Sequence, residues 1–201
     1  MKGARYFVLF KDDFSNYRVV HFLKEKSEAF EHFRNFVARC RRETGKDVSV
    51  LRTDNGGEFV NNAFSSWLRS NGIQHQTSAP HCPEQNGVAE RDNRTIVEAA
   101  RSMLHGRGLP LYLWAEAVNA AVYILNRVGS RTAPCTAFES WHGKIPDLSH
   151  LRVYGCKAFM HLPKENRKKL DAKSVECILV GYCDNQKAYR LYDPDCRISS
   201  H

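Results

Sequence analysis

Val50-Leu51-Arg52-Thr53-Asp54-Asn55-Gly56-Gly57-Glu58-Phe59 is answered further along the chain by Pro83-Glu84-Gln85-Asn86-Gly87-Val88-Ala89-Glu90-Arg91. The short apolar run from Val48 to Leu51 predicts a buried strand, residues 48–53, that ends at the carboxylate of Asp54. Asn86-Gly87 marks the start of a long helical pattern, and Glu90 sits just inside it. Between the two acids lie residues 55–89, 35 in all. A carboxylate at a strand end and another on a helix suit a shared divalent cation. Hard cations such as Mg²⁺ take carboxylate oxygens, keep several waters and recruit phosphate oxygens. A pair of them clamps the attacking and leaving oxygens of an in-line phosphoryl displacement. The same residues also read as an ordinary Asp-Asn-Gly-Gly turn and a first-turn acid set against the helix dipole. Pattern alone leaves both readings open.

Leu51 to Phe59, taken with Pro83 to Arg94, resembles the integrase core of copia-type LTR retrotransposons. The resemblance runs from about Ala4 to Pro194. It implies an α/β fold, an RNase H-like core followed by a small SH3-like β-barrel, with a D,D-35-E metal triad. Asp54 matches the second Asp and Glu90 the Glu. It further implies Mg²⁺ or Mn²⁺ in a two-metal site, end processing and strand transfer as the reaction, element ends and target DNA as partners, and a homo-oligomer. Glu84, Gln85 and Asn86 match a family loop that contacts element DNA. The first catalytic Asp of the family lies on a strand before the hairpin that opens this chain. The expectation is therefore a core without its first strand, and with it a zinc-binding amino-terminal module absent and a barrel clipped at its far end. Loss of one of three metal carboxylates is expected to cripple two-metal catalysis. The alternatives are an inactive remnant that still binds DNA, or a domesticated DNA- or protein-binding module.

The 201 residues allow one large domain, or one medium and one small. We expect the core at 1–128, a linker at 129–150 and the SH3-like part at 151–201. A hydrophobic fraction of 42% describes a globular chain. A net charge of +8 suits a polyanionic partner. Seven scattered cysteines without a C-x-x-C argue for free thiols in a reducing compartment, nucleus and cytoplasm, and against a disulfide framework or zinc site. His75, His81 and Cys82 are close, but lack a fourth ligand at zinc-like spacing. No apolar run approaches the ~20 residues of a membrane span, and the opening Met1-Lys2-Gly3-Ala4-Arg5-Tyr6 does not read as a signal peptide.

Taken in order, Tyr6–Phe10 and Tyr17–Leu23 predict an antiparallel hairpin, with Asp12 and Asp13 as turn acids. Residues 27–44 predict a helix capped by Ser27, with Phe30, Phe33, Val37 and Cys40 inward. A short helix is expected at 61–71, with Phe64, Trp67 and Leu68 inward and Asn71-Gly72 as its stop, then a strand at 74–78 and a loop at 79–87. The helix at 88–105 is expected to turn Ala89, Ile96, Ala100 and Met103 inward. Glu90, Arg94, Val97 and Arg101 then share one face. The two arginines suit a phosphate backbone, or Glu90 and Arg94 form an exposed ion pair. Residues 110–127 predict a helix with Trp114, Val118, Ala121 and Leu125 as its stripe, and Phe138, Trp141 and His142 are expected to dock on the core. Strands at 153–162, 177–182 and 189–192, with a turn at Asp184-Asn185, make the barrel. Lys164, Arg167, Lys168 and Lys169 form a basic loop, suited either to phosphate or to solvent.

Overall fold

Tyr6–Lys11 (β1) and Arg18–Leu23 (β2) pair antiparallel in the computed structural model, from Tyr6↔Leu23 to Lys11↔Arg18. The structure describes residues 3–54, 56–57, 59, 61–77, 83–129, 133–183, 186–194 and 199–200. Asp12 is a turn acid, as expected: its Oδ2 accepts from the Ser15 amide at 2.7 Å and from the Ser15 hydroxyl at 2.6 Å. Asn16 closes the turn at φ 58°, a left-handed conformation that Asn tolerates.

Two compact units emerge, Met1–Ile96 with Leu125–Pro146, and Val97–Ile124 with Asp147–His201. In the first, Ala29–Thr44 (α1) buries Phe33, Phe36 and Cys40 and stops at Gly45, φ 71°. Ser27 does not cap it. A 3₁₀ turn at Lys26–Glu28 comes first, and the Ser27 hydroxyl reaches Glu25 instead. Val50–Thr53 (β3), Asn62–Ser70 (α2) and Gln74–Thr77 (β4) form a parallel β–α–β unit with Leu51 opposite His75. Asn61 caps α2 by accepting from the Phe64 amide at 2.8 Å. The β1–β2 and β3–β4 pairs form separate two-stranded sheets among the described residues. One apolar cluster lies under both, joining Phe10, Val19 and Leu51 to Phe33, Phe36, Phe64 and Leu68. Ala137–His142 (α5) docks here as expected. Trp141 stacks on Tyr17 at 4.9 Å and donates its indole N–H to Glu43 at 2.9 Å.

Pro83–His105 (α3) starts five residues before the expected Val88, because a proline at the first helical position lacks only an amide that needs no partner there. Residues 83–87 of the expected loop are thus helical, and its residues 79–82 lie outside the described ones. Ile96 and Ala100 face inward as expected, joined by Leu104, whereas Ala89 is exposed. Trp114–Arg127 (α4) has no exposed residue, so the expected stripe is too narrow. Its alanines at 115, 117, 120 and 121 let neighbours approach on several sides.

In the second unit, Lys157–His161 (β5), Ser174–Tyr182 (β6), Tyr189–Tyr192 (β7) and Ser199–Ser200 (β8) make one antiparallel sheet in that order. β5 starts later than expected because Gly155 turns at φ 77°, and β6 starts earlier. The expected turn at Asp184-Asn185 lies outside the described residues. The Tyr182 hydroxyl donates to the Arg152 carbonyl at 2.8 Å, and that of Tyr189 to the His150 carbonyl at 2.8 Å, tying 150–152 to the sheet. Glu116 of α4, 2% exposed, receives Arg190 of β7 through two bonds of 2.6 and 2.7 Å. No helix among the described residues is long and apolar enough to cross a membrane.

In the first unit, His21 of β2 stacks on His32 of α1 with ring centroids 4.8 Å apart, and His21 Nε2 and His32 Nδ1 are enclosed without a partner. Burial, with the charges of His32 and Arg39, lowers the His21 pKa from 6.5 to about 4. The unfolded chain therefore binds the extra proton first, and stability falls as pH drops from 6.5 towards 4. Urea denaturation across that range is expected to show a loss of roughly 1–3 kcal/mol, discounted for partial exposure. His21→Phe should flatten the profile.

Candidate active site

β3 alternates half-buried Leu51 and Thr53 with exposed Arg52 and Asp54, so the acid stands on the solvent side where the strand ends. Its Oδ1 accepts from the Gly56 amide at 3.0 Å, an Asx turn that fixes the carboxylate over the Asp-Asn-Gly-Gly bend. The turn reading of Asp54 is thus borne out, and its carboxylate stays exposed. Behind it, the Thr53 hydroxyl donates to the Asp54 carbonyl at 2.9 Å and lies 2.9 Å from His75 Nε2. Burial lowers the His75 pKa below its ordinary value. His75 was of interest only beside His81 and Cys82, which lie outside the described residues. Two positions back from the acid, Arg52 reaches Asp13 of the hairpin turn and Gln76 of β4, each at 3.4 Å. Sequence reading passed over Arg52, although the strand period alone puts it on the face of Asp54.

Glu90 is exposed on α3 and makes no hydrogen bond or ion pair among the described residues; the alternative pairing with exposed Arg94 does not form. What sets the helix so is Asp92, 9% exposed. Its Oδ1 takes Arg18 at 2.8 Å and its Oδ2 takes Lys11 at 2.7 Å. Burial pushes the Asp92 carboxyl up, but the hydrogen bonds and charges of Arg18 and Lys11 outweigh it and hold it below the ordinary carboxylate value. Two residues on a helix are about 200° apart, so burying Asp92 turns Glu90 outward. Asn126 of α4 completes the fixture. Its side-chain amide accepts from the Arg18 N–H at 2.9 Å and donates to the Arg18 carbonyl at 2.7 Å, pairing the edge of β2 as another strand would.

The other expected contacts fall in both units. Gln85 and Asn86 lie in the first turns of α3, their side chains outside the described set. Arg101, also exposed on α3, belongs to the second unit. There Lys164 opens a 3₁₀ turn at Lys164–Asn166, Lys168 and Lys169 are exposed, and Arg167 is half-buried with Nε enclosed. Asp54 and Glu90 offer the hard oxygen donors that Mg²⁺ or Mn²⁺ takes, so their chemistry fits such an ion. Among the described residues, no group of three His, Cys, Asp or Glu could hold a metal.

Residues 1–83 match the integrase core domain and residues 156–200 the retroviral polymerase SH3-like domain. The chain is therefore an RNase H-like integrase core followed by an SH3-like domain. It belongs to the integrase region of retrotransposon Pol polyproteins. It is 48% identical over 198 residues to the retrovirus-related Pol polyprotein from transposon TNT 1-94 of Nicotiana tabacum, across 96% of this chain and 15% of that one. It is 37% identical over 186 residues to the Pol polyprotein from transposon RE1 of Arabidopsis thaliana, across 92% of this chain and 13% of that one. The chain thus spans a small part of the length of these relatives. Among solved structures, it resembles a simian T-cell lymphotropic virus intasome in complex with PP2A regulatory subunit B56 gamma. There the TM-score is 0.57 at 18% identity, over 96% of this chain and 68% of that one. It also resembles the HTLV-2 integrase catalytic core domain in complex with magnesium, in dimeric form. That likeness has a TM-score of 0.50 at 26% identity, over 67% of this chain and 82% of that one.

If Asp92 sets the helix, Asp92→Asn leaves two cations without their buried partner. It is expected to cost about 3 kcal/mol and to lower the melting temperature by roughly 10 °C. Glu98→Gln, an exposed change on the same helix, should stay within about 0.5 kcal/mol. Calorimetry of both variants checks this, and equal melting temperatures would refute it.

Proposed function

We propose that this chain works in metal-dependent DNA integration, in the end processing and strand transfer of a copia-type element. The observation that supports this most is the placement of Asp54. It is an exposed carboxylate held by the Gly56 amide at the end of β3, within the residues that match an integrase core. We assign Asp54 and Glu90 as the catalytic, metal-holding acids. Bound Mg²⁺ or Mn²⁺ would supply positive charge to the scissile phosphate and to the attacking water or DNA 3′-hydroxyl. The protein's own part is to hold the two carboxylates and to guide DNA to them. Gln85, Asn86, Arg94 and Arg101 are assigned to element-end DNA, the arginines by bidentate phosphate contact. Lys164, Arg167, Lys168 and Lys169 are assigned to sequence-independent phosphate contact. The dimeric HTLV-2 core supports a homo-oligomer here.

A second reading is favoured by one fact: the described residues hold no three-ligand cluster. On that reading the chain is an inactive DNA- or protein-binding module. Strand transfer of an element-end duplex in Mg²⁺ or Mn²⁺ separates the two, run on this chain and on a longer polyprotein segment that adds an acidic strand upstream. The first reading expects transfer by the longer segment and a loss of roughly 10³-fold in Asp54→Asn and in Glu90→Gln. DNA binding that weakens steeply with salt should survive both substitutions. Silence in both proteins, with binding intact, supports the module. Transfer that survives both substitutions overturns the assignment of the acids.

A further inference from the structure

Thr53 has one hydroxyl proton, and it goes to the Asp54 carbonyl at 2.9 Å. The same oxygen lies 2.9 Å from His75 Nε2, and with its own proton committed it must accept there. In the tautomer that satisfies both contacts, the proton of the second sits on Nε2. The ring that supplies it is held from behind: His75 stands edge-on to Phe64, with centroids 5.9 Å apart, and Phe64 is fully buried in α2. Across the ladder, Leu51 pairs with His75 and Thr53 with Thr77, so the ring leans along β4 towards the end of β3. A continuous line results, from the buried core through His75 and Thr53 to the backbone of Asp54.

We infer that His75, acting through Thr53, is a positioning residue for Asp54, fixing the backbone of the acid while the Gly56 amide fixes its carboxylate. This rests on the reading of Asp54 as a metal-holding acid. The physical reason for such a device is tolerance. A ligand carboxylate must be held to about 0.5 Å, and Asp54 sits where the strand ladder stops and Asn-Gly-Gly begins. Among the described residues, Thr53↔Thr77 is the last pair of the ladder. A hydrogen-bonded pair of side chains takes over where the ladder ends.

The first test is the His75 ring in a long-range ¹H–¹⁵N spectrum of the full 201-residue chain at neutral pH. Protonation at Nε2 is expected; a ring protonated only at Nδ1 overturns the inference. The second is Mn²⁺ binding by calorimetry to the same chain. Thr53→Val and His75→Phe are each expected to weaken binding about 10–100-fold, and the double variant no more than either alone, because both break one path. Thr53→Ser and His75→Gln, which keep the hydroxyl and a donor, should restore most of it, and they serve where the harsher variants fail to fold. Wild-type affinity in Thr53→Val, with binding lost in Asp54→Asn, overturns the inference and leaves the reading of Asp54 standing. Binding that persists in Asp54→Asn overturns that reading itself.

Discussion

Lys11 and Arg18 stand directly opposite each other at the end of the β1–β2 ladder, and two like charges at such a pair repel. A single buried carboxylate, Asp92, lies against both, at 2.7 and 2.8 Å. That arrangement decides more than the energy of a hairpin. It fixes which side of α3 faces β1 and β2, and so which side faces solvent. The backbone of Arg18 is at the same time enclosed by the Asn126 amide, so one residue of β2 is gripped by side chain and by main chain, from α3 and from α4. Removing any part leaves charge or a backbone group stranded in a partly dry place, which costs more than the intact network contributes.

The consequence for the site is a division between two acids two residues apart. Asp92 is paired, buried and shifted below its ordinary pKa by its cations. Glu90, turned away by helical geometry, keeps its carboxylate in solvent. The strand-borne acid is treated differently. Asp54 is exposed as well, but the Gly56 amide and the Thr53 hydroxyl hold it locally. One acid is thus aimed by the setting of a whole helix and the other by its own turn.

Much of this was legible from the chain. The strand into Asp54, the helix at 61–71, its Asn71-Gly72 stop and the docking of Trp141 each depend on neighbours within a few residues, or on plain hydrophobicity; that β3 is half-exposed and starts only at Val50 does not. What could not be read depends on partners far away. Nothing in Glu90-Arg91-Asp92 says which acid is buried, because the deciding cations lie 74 residues or more earlier. Asn126, at a separation of 108 residues from Arg18, looked like any polar residue near a helix end. The start of α3 was missed because Asn86-Gly87 is a strong turn signal, whereas Pro83 is silent unless the helix beyond it is already known. The stripe of α4 was drawn too narrow for a related reason: alanines carry little moment, and yet they are what lets a helix be enclosed on all sides.

The second unit repeats the same physical device in other residues. Glu116, on a helix without an exposed position, receives the guanidinium of Arg190 from β7 in a two-bond fork. Burial and that carboxylate raise the pKa of the nearby Tyr154 hydroxyl, which is enclosed without a partner, so it stays protonated. Such pairs add little net stability over apolar packing of the same volume. Their value lies in direction: an apolar contact tolerates rotation and slip, whereas a carboxylate must meet its cation in one geometry. In each unit a helix carboxylate is matched to a strand cation, and in each the match selects one setting of helix on strand from the several that hydrophobic burial alone would allow. For a chain whose candidate ligands ride on a strand end and a helix face, that selection, made in the first unit by Asp92, is what gives the helix-borne acid a defined place.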